Sequence, residues 1–154
     1  MHTEKQLHDA IARKAREKFE EISPEHIQAL ADYAVRFAHE NGALDDTAFA
    51  EMTTRSGMRG GRSRRAIAQK LSQKGIAAET VATAVAATDD LYAAVVLARK
   101  RAFGPFRKVD LDERRKVKEM SAFARCGFAF EIGRQVFAMS REDAEEVLAS
   151  GGPV

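Results

Sequence analysis

The chain has 154 residues, 45% of them hydrophobic and 31% charged, with a formal net charge of +2. The single cysteine, Cys126, excludes an internal disulfide framework, and no run approaches the roughly 18 consecutive apolar residues that a membrane span needs. Met1 to Arg16 has mixed charge and no apolar signal core, so a cytoplasmic protein without a secretion signal is expected, with no membrane partner.

Proline occurs only at Pro24, Pro105 and Pro153, and no β-branched run alternates with period 2, so helices are expected throughout. The first carries Leu7, Ile11 and Ala15. The second opens at Ser23-Pro24, where a hydroxyl cap precedes a proline suited to the first helical position. Its apolar stripe is read as Ile27, Leu30, Ala34, Phe37 and Ala38, closed by Asn41-Gly42. Leu44-Asp45-Asp46 opens the third, with Asp45 as cap, Leu44 stapled to Phe49, and Ala48, Phe49 and Met52 facing inward. Gly57, Gly60 and Gly61 are expected to break it. A helix from about Ser63 presents Ile67 and Leu71 and stops at Gly75. Ile76 and Val81 staple the next, with Ala84 and Val85 inside. The pattern then restarts. Asp89-Asp90 follows Asp45-Asp46 after 44 residues and opens a helix carrying Leu91, Ala94, Val95, Ala98 and Ala102, ending at Gly104-Pro105. A helix from about Leu111 carries Val117, Met120 and Ala124, and a last one carries Phe130, Ile132, Val136 and Phe137.

Leu71 to Ile76 and Phe123 to Phe128 share one scheme: an apolar residue, three spacers, glycine, an apolar residue. A three-helix unit is thus used twice. The expected organisation is an incomplete N-terminal repeat over 1–43, a central repeat over 44–88, a C-terminal repeat over 89–140, and an acidic helical or flexible tail over 141–154. Repeats of this length stack on their neighbours, so the fold class is all-α, with tandem three-helix repeats in an elongated, curved array.

Charge is unevenly spread. Between Glu51 and Glu79 there is no acid, while Arg55, Arg59, Arg62, Arg64, Arg65, Lys70 and Lys74 fall there. A second basic run contains Arg99, Lys100, Arg101, Arg107, Lys108, Arg114, Arg115, Lys116 and Lys118. A basic middle between acidic ends implies contact with a polyanion or an acidic protein surface; the plain alternative is a solvated helix face.

Leu44-Asp45-Asp46, Phe49-Ala50, Arg55-Ser56, the glycine-rich basic turn, Ile67, Leu71 and Lys74-Gly75-Ile76 together resemble the central signature of the RecX regulatory proteins. Leu97 to Arg101, Gly104-Pro105-Phe106 and Phe123 to Phe128 resemble the C-terminal unit of that family. The resemblance spans roughly Ile27 to Val136. It implies tandem three-helix repeats, binding in the groove of the RecA nucleoprotein filament, inhibition of its ATPase, strand exchange and extension, and neither cofactor nor catalytic residue. The chain departs from the family in beginning inside what corresponds to the second helix of the first unit. It also has Ala77 where an acidic cap is often found.

Other chemistries find little footing. His2, His8, His26 and His39 form no HExxH-like pair and there is no CxxC, so no metal is expected. Gly57 to Gly61 lacks the GK[ST] ending of a phosphate-binding loop. The paired aspartates read as helix caps rather than acid–base groups, and Cys126 as a small buried thiol. Phe103 and Phe106 flank basic residues and either stack on bases or pack between repeats. The expected function is therefore that of a monomeric, non-enzymatic regulator of the RecA filament, with possible contact to single- or double-stranded DNA. The residues expected to meet the partner are Arg59, Arg62, Arg64, Arg65, Lys70 and Lys74 in the middle unit, and Arg99, Arg101, Arg107, Lys108, Arg114 and Arg115 in the last. The rival reading is a helical nucleic-acid-binding module with no recombinase partner. A structural adaptor with a merely solvated basic strip is a third.

Overall fold

The computed structural model describes residues 3–40 and 45–153. They form α1 (Glu4–Lys18), α2 (Pro24–Glu40), α3 (Asp46–Arg59), α4 (Arg64–Gln73), α5 (Ala78–Val85), α6 (Asp90–Arg101), a 3-10 turn (Gly104–Phe106), α7 (Glu113–Arg125), α8 (Phe130–Ala138) and α9 (Arg141–Ser150), with no strand among the described residues. The expected stop at Asn41-Gly42 and the staple of Leu44 on Phe49 fall outside these residues.

Side-chain caps start most helices. Ser23 accepts from the His26 N–H, Asp45 from Ala48, Asp89 from Tyr92 and Asp112 from Arg115. Each satisfies one of the backbone donors that a helix start leaves unpaired. α5 and α8 begin instead at Ala77 and Ala129, without a side-chain cap.

Helix ends share a device too. The Ile76 N–H donates to the Leu71 carbonyl and the Phe128 N–H to the Phe123 carbonyl, both at 3.1 Å. The intervening Gly75 and Gly127 have φ of 85° and 89°, a conformation that glycine adopts without steric cost. The matching six-residue segments seen in the sequence are thus two copies of one helix stop.

The apolar core is divided along the chain. One cluster joins Ala12, Ala15 and Ile27; a second joins Ala50, Met58, Ile67, Leu71, Ile76, Val81 and Val85; the largest runs from Ala93 to Ala144 and includes Phe103, Phe106, Phe123, Phe128 and Val136. None of these clusters contains residues from both α1–α2 and α6–α9. Within the central unit α3, α4 and α5 pack on one another, α6 lies across α3, and α9 covers α6 with a fully buried Ala144.

Several inward faces differ from the sequence expectation. In α2 the buried stripe is Ile27, Ala31, Val35 and Ala38, while Leu30 and Phe37 are 44% and 56% exposed. Small residues let α1 and α2 approach closely, which turns the larger side chains outward. α3 continues through Gly57 to Arg59 and buries Ala50, Thr54, Gly57 and Met58 rather than Met52. Gly57 is helical, and a Cβ there would lie 2.7 Å from Ile67 of α4, so close packing rather than chain reversal calls for glycine. α7 turns Glu119, Ala122 and Phe123 inward and leaves Val117 62% exposed. Phe130 is exposed at the start of α8. Phe103 and Phe106 are buried in the large cluster, so packing is their role.

The units are joined by a repeated polar joint. Thr3 caps α1 by accepting from the Gln6 N–H, and its hydroxyl donates to the carbonyl of Lys74 at the end of α4, at 2.7 Å. Ser63 caps α4 by accepting from the Ala66 N–H, and its hydroxyl donates to the carbonyl of Cys126 at the end of α7, at 2.8 Å. Thr3 and Ser63 are both fully buried. Beside each joint stands the second aspartate of a pair. Asp46 Oδ1 accepts from the Glu4 N–H at 3.3 Å and Asp90 Oδ1 from the Arg64 N–H at 2.8 Å. One carboxylate of each pair therefore caps its own helix and the other caps a helix of the preceding unit. The correspondence of Thr3 with Ser63 makes α1 the equivalent of α4.

A compact chain of 17.0 kDa exposes about 7,700 Å²; this one exposes 9842 Å². The excess, together with cores strung along the chain, describes an elongated all-α array of stacked three-helix repeats. No single helix among the described residues is long and apolar enough to cross a membrane.

Replacing Ser63 with Ala removes both a cap and the donor to the Cys126 carbonyl. The expected loss is about 2–3 kcal/mol, against about 1 kcal/mol for Ser140→Ala, which removes the α9 cap alone. Urea unfolding of both variants checks this; equal losses would show that the bond between units contributes nothing.

Candidate functional site

The basic residues singled out by sequence divide into those consumed by the fold and those left free. Glu119 decides much of this division. Its side chain is 0% exposed, at the centre of four donors. Oε1 accepts from the Gly104 N–H at 2.7 Å and from Arg107 Nη2 at 2.8 Å, and Oε2 accepts from Arg107 Nε and Arg115 Nε, each at 2.7 Å. Arg115 Nη2 also donates to the Ala102 carbonyl. Aromatic faces complete the enclosure: the Arg107 guanidinium lies 5.1 Å from the centroid of Phe137 and that of Arg115 lies 5.2 Å from Phe103. Arg107 and Arg115 are therefore internal partners of a buried carboxylate, not free surface cations.

The cluster fixes the exit from α6. Ala102 there has φ of 55°, a strained value for a residue with a Cβ. The chain is held at this bend by the bond to its carbonyl from Arg115 and by the Gly104 N–H on Glu119. Burial alone would raise the Glu119 pKa. The hydrogen bonds from Arg107, Gly104 and Arg115 outweigh that and hold it below its ordinary 4.5, while Glu119 in turn raises that of Arg107.

Arg64 is also engaged: its Nε donates to Thr88 Oγ1 at 2.7 Å and its Nη2 to the Thr88 carbonyl at 2.9 Å, tying α4 to the segment before α6. Arg59, Arg62, Arg65, Arg99, Arg101, Lys108 and Arg114 are exposed, and Lys70 and Lys74 half-buried. Arg62 and Lys70 come together in a recess of about 420 Å³ between α3, α4 and α6, where they are joined by Lys100 and by Thr53 and Ser56 of α3. Lys100 donates to the Gly60 carbonyl at 3.1 Å, which holds it over this recess. Lys100 was visible only as one member of a basic triplet; the crossing of α6 over α3 selects it. A larger hollow of about 730 Å³ lies by the α1–α2 turn, lined by Phe19, Ile22 and Leu30, with no Lys or Arg among its lining residues. No group of three or more His, Cys, Asp or Glu side chains converges among the described residues.

Breaking a buried ion cluster from one side costs about 3–5 kcal/mol, and Glu119→Gln is expected to lose that much at neutral pH. Because the folded-state pKa of Glu119 is depressed, its contribution is complete above the unfolded value and disappears as the pH falls through the folded one. The advantage of the natural chain over Glu119→Gln should therefore shrink on acidification below about pH 4, measured by urea unfolding; an advantage independent of pH would contradict the assignment.

Comparison with known proteins gives a consistent result. A sequence profile for RecX, second three-helix domain, matches residues 45–85, which here form α3, α4 and α5. The regulatory protein RecX of Agrobacterium fabrum is 61% identical over 149 residues, covering 97% of this chain and 81% of that protein. The regulatory protein RecX of Myxococcus xanthus is 38% identical over 141 residues, covering 87% of this chain and 75% of that protein. No solved structure gives a significant match. With this identity over nearly its whole length, and with a three-helix unit where the profile matches, the chain belongs to the RecX family of regulatory proteins.

Proposed function

We propose that this chain is a non-enzymatic, cytoplasmic regulator that binds the RecA nucleoprotein filament and inhibits its ATPase, strand exchange and extension. The observation that carries the reading is the set of cations the fold leaves unpaired in a family of regulators. Arg59, Arg62, Arg65, Lys70, Lys74, Arg99, Arg101, Lys108 and Arg114 have no carboxylate partner among the described residues, whereas Arg107 and Arg115 are satisfied internally. An elongated array with free guanidinium groups suits a helical polymer that combines acidic protein surface with phosphate, since arginine forks onto either anion. The repeats then act as a monomeric, curved spacer over 1–43, 44–88 and 89–140, with 141–154 as the closing segment. Arg64, Arg107 and Arg115 serve this function through the fold rather than by touching the partner.

Substoichiometric protein should depress DNA-dependent ATP hydrolysis by the cognate recombinase. Neutralising Arg62, Arg65 and Arg99 together should weaken the inhibition by about tenfold or more, as loss of several charge-assisted contacts requires. No depression at saturating protein would end this reading. Equal affinity for naked and recombinase-coated strands would instead favour a nucleic-acid-binding module without a recombinase partner.

A further inference from the structure

We infer that the recess between α3, α4 and α6 seats a phosphodiester of single-stranded nucleic acid. The inference rests on the proposed encounter with a nucleoprotein filament and assigns one subsite within it.

Three cations from three different elements converge there: Arg62 from the turn after α3, Lys70 from α4 and Lys100 from α6. Arg62 and Lys70 have no ion-pair partner among the described residues, and Lys100 is positioned by the Gly60 carbonyl rather than by a carboxylate. The recess contrasts with the Glu119 cluster, where each guanidinium already has its anion. Thr53 and Ser56 add neutral hydroxyl donors from α3, and no Asp or Glu lines the space. A volume of about 420 Å³ exceeds that of a bare phosphate and leaves room for the adjoining sugar.

The neighbourhood favours a strand over an isolated carboxylate. Arg59 precedes Gly60 in sequence and Arg99 precedes Lys100, and both are exposed. A polymer with one charge per residue can reach these neighbouring guanidinium groups as well as the recess; a lone acidic side chain meets only the recess. A single strand bends into a concavity, whereas a stiff duplex presents its phosphates along a convex edge.

Filling the recess without altering charge separates a built subsite from a diffuse basic surface. Ser56 is exposed and its hydroxyl makes no hydrogen bond among the described residues, so Ser56→Leu is placed to occupy the space while all cations remain. Thr47→Leu, exposed on the same helix but outside the recess, is the control. Fluorescence anisotropy with labelled oligo(dT) over a salt series should show Ser56→Leu binding about tenfold more weakly, with the log–log salt slope reduced by about 0.7 for one lost phosphate contact. Thr47→Leu should match the natural chain. Should Ser56→Leu fail to fold, Thr53→Leu, which also lines the recess and keeps every cation, carries the same expectation.

Unchanged affinity and slope in the folded variant would overturn the subsite, as would absence of oligo(dT) binding by the natural chain at low salt. Pull-down on recombinase-coated strands distinguishes the two levels of the account. Normal oligo(dT) binding with lost capture on coated strands would overturn the phosphodiester assignment and leave the regulator reading standing. A Ser56→Leu defect on oligo(dT), in a protein that never engages coated strands, would support the subsite and remove the filament partner.

Discussion

Each repeat is held to the next by one buried hydroxyl that serves two helices. Thr3 and Ser63 accept at the start of their own helix and donate to the last carbonyl of a helix in the following unit. Both ends of a helix carry backbone groups without internal partners, and burying them unpaired would cost about 1–3 kcal/mol each. The joint removes that cost on both sides of an interface at once. It also fixes geometry. A Cβ on Gly127 would come within 2.6 Å of Ser63 Oγ, so the interface accepts only glycine at that point. The second aspartate of each pair adds a charged acceptor at the same helix start, where the helix dipole favours it.

Stacking by these joints is what gives the cations their two roles. Once α6 is laid across α3, Lys100 reaches the recess that Arg62 and Lys70 border. Once the chain turns at Gly104, Arg107 returns to Glu119 beside Arg115. Charges close in sequence are thereby separated in purpose. Arg107 and Arg115 brace the last unit around the buried Glu119, and Arg62 and Lys100 stay exposed at the recess.

Much of the fold was legible in the sequence because its signals are local. The caps at Ser23, Asp45 and Asp89, the helix start near Ser63, the stop at Gly75 with its matching segment around Gly127, and the repeat of the aspartate pair all follow from short-range backbone chemistry. The orientation of helices was less legible. Leu30, Met52 and Val117 lie on plausible apolar stripes, yet the buried faces are Ile27-Ala31-Val35-Ala38, Ala50-Thr54-Gly57-Met58 and Glu119-Ala122-Phe123, whose small and polar members periodicity alone does not rank. Arg107 and Arg115 were read with the other cations since nothing local shows burial of Glu119. The spacing of Arg115 and Glu119 by four residues was the available hint. The second role of Asp46 and Asp90 is a contact between units, invisible in a single helix.

The central claim is that three-helix units stack end on end through these joints rather than collapsing into one globule. Small-angle X-ray scattering of the isolated monomer tests it most directly. A compact body of this length has a radius of gyration of about 15 Å. The stacked array predicts a value several ångströms above that, with a pair-distance distribution skewed to long vectors. A radius at about 15 Å with a symmetric distribution would contradict it.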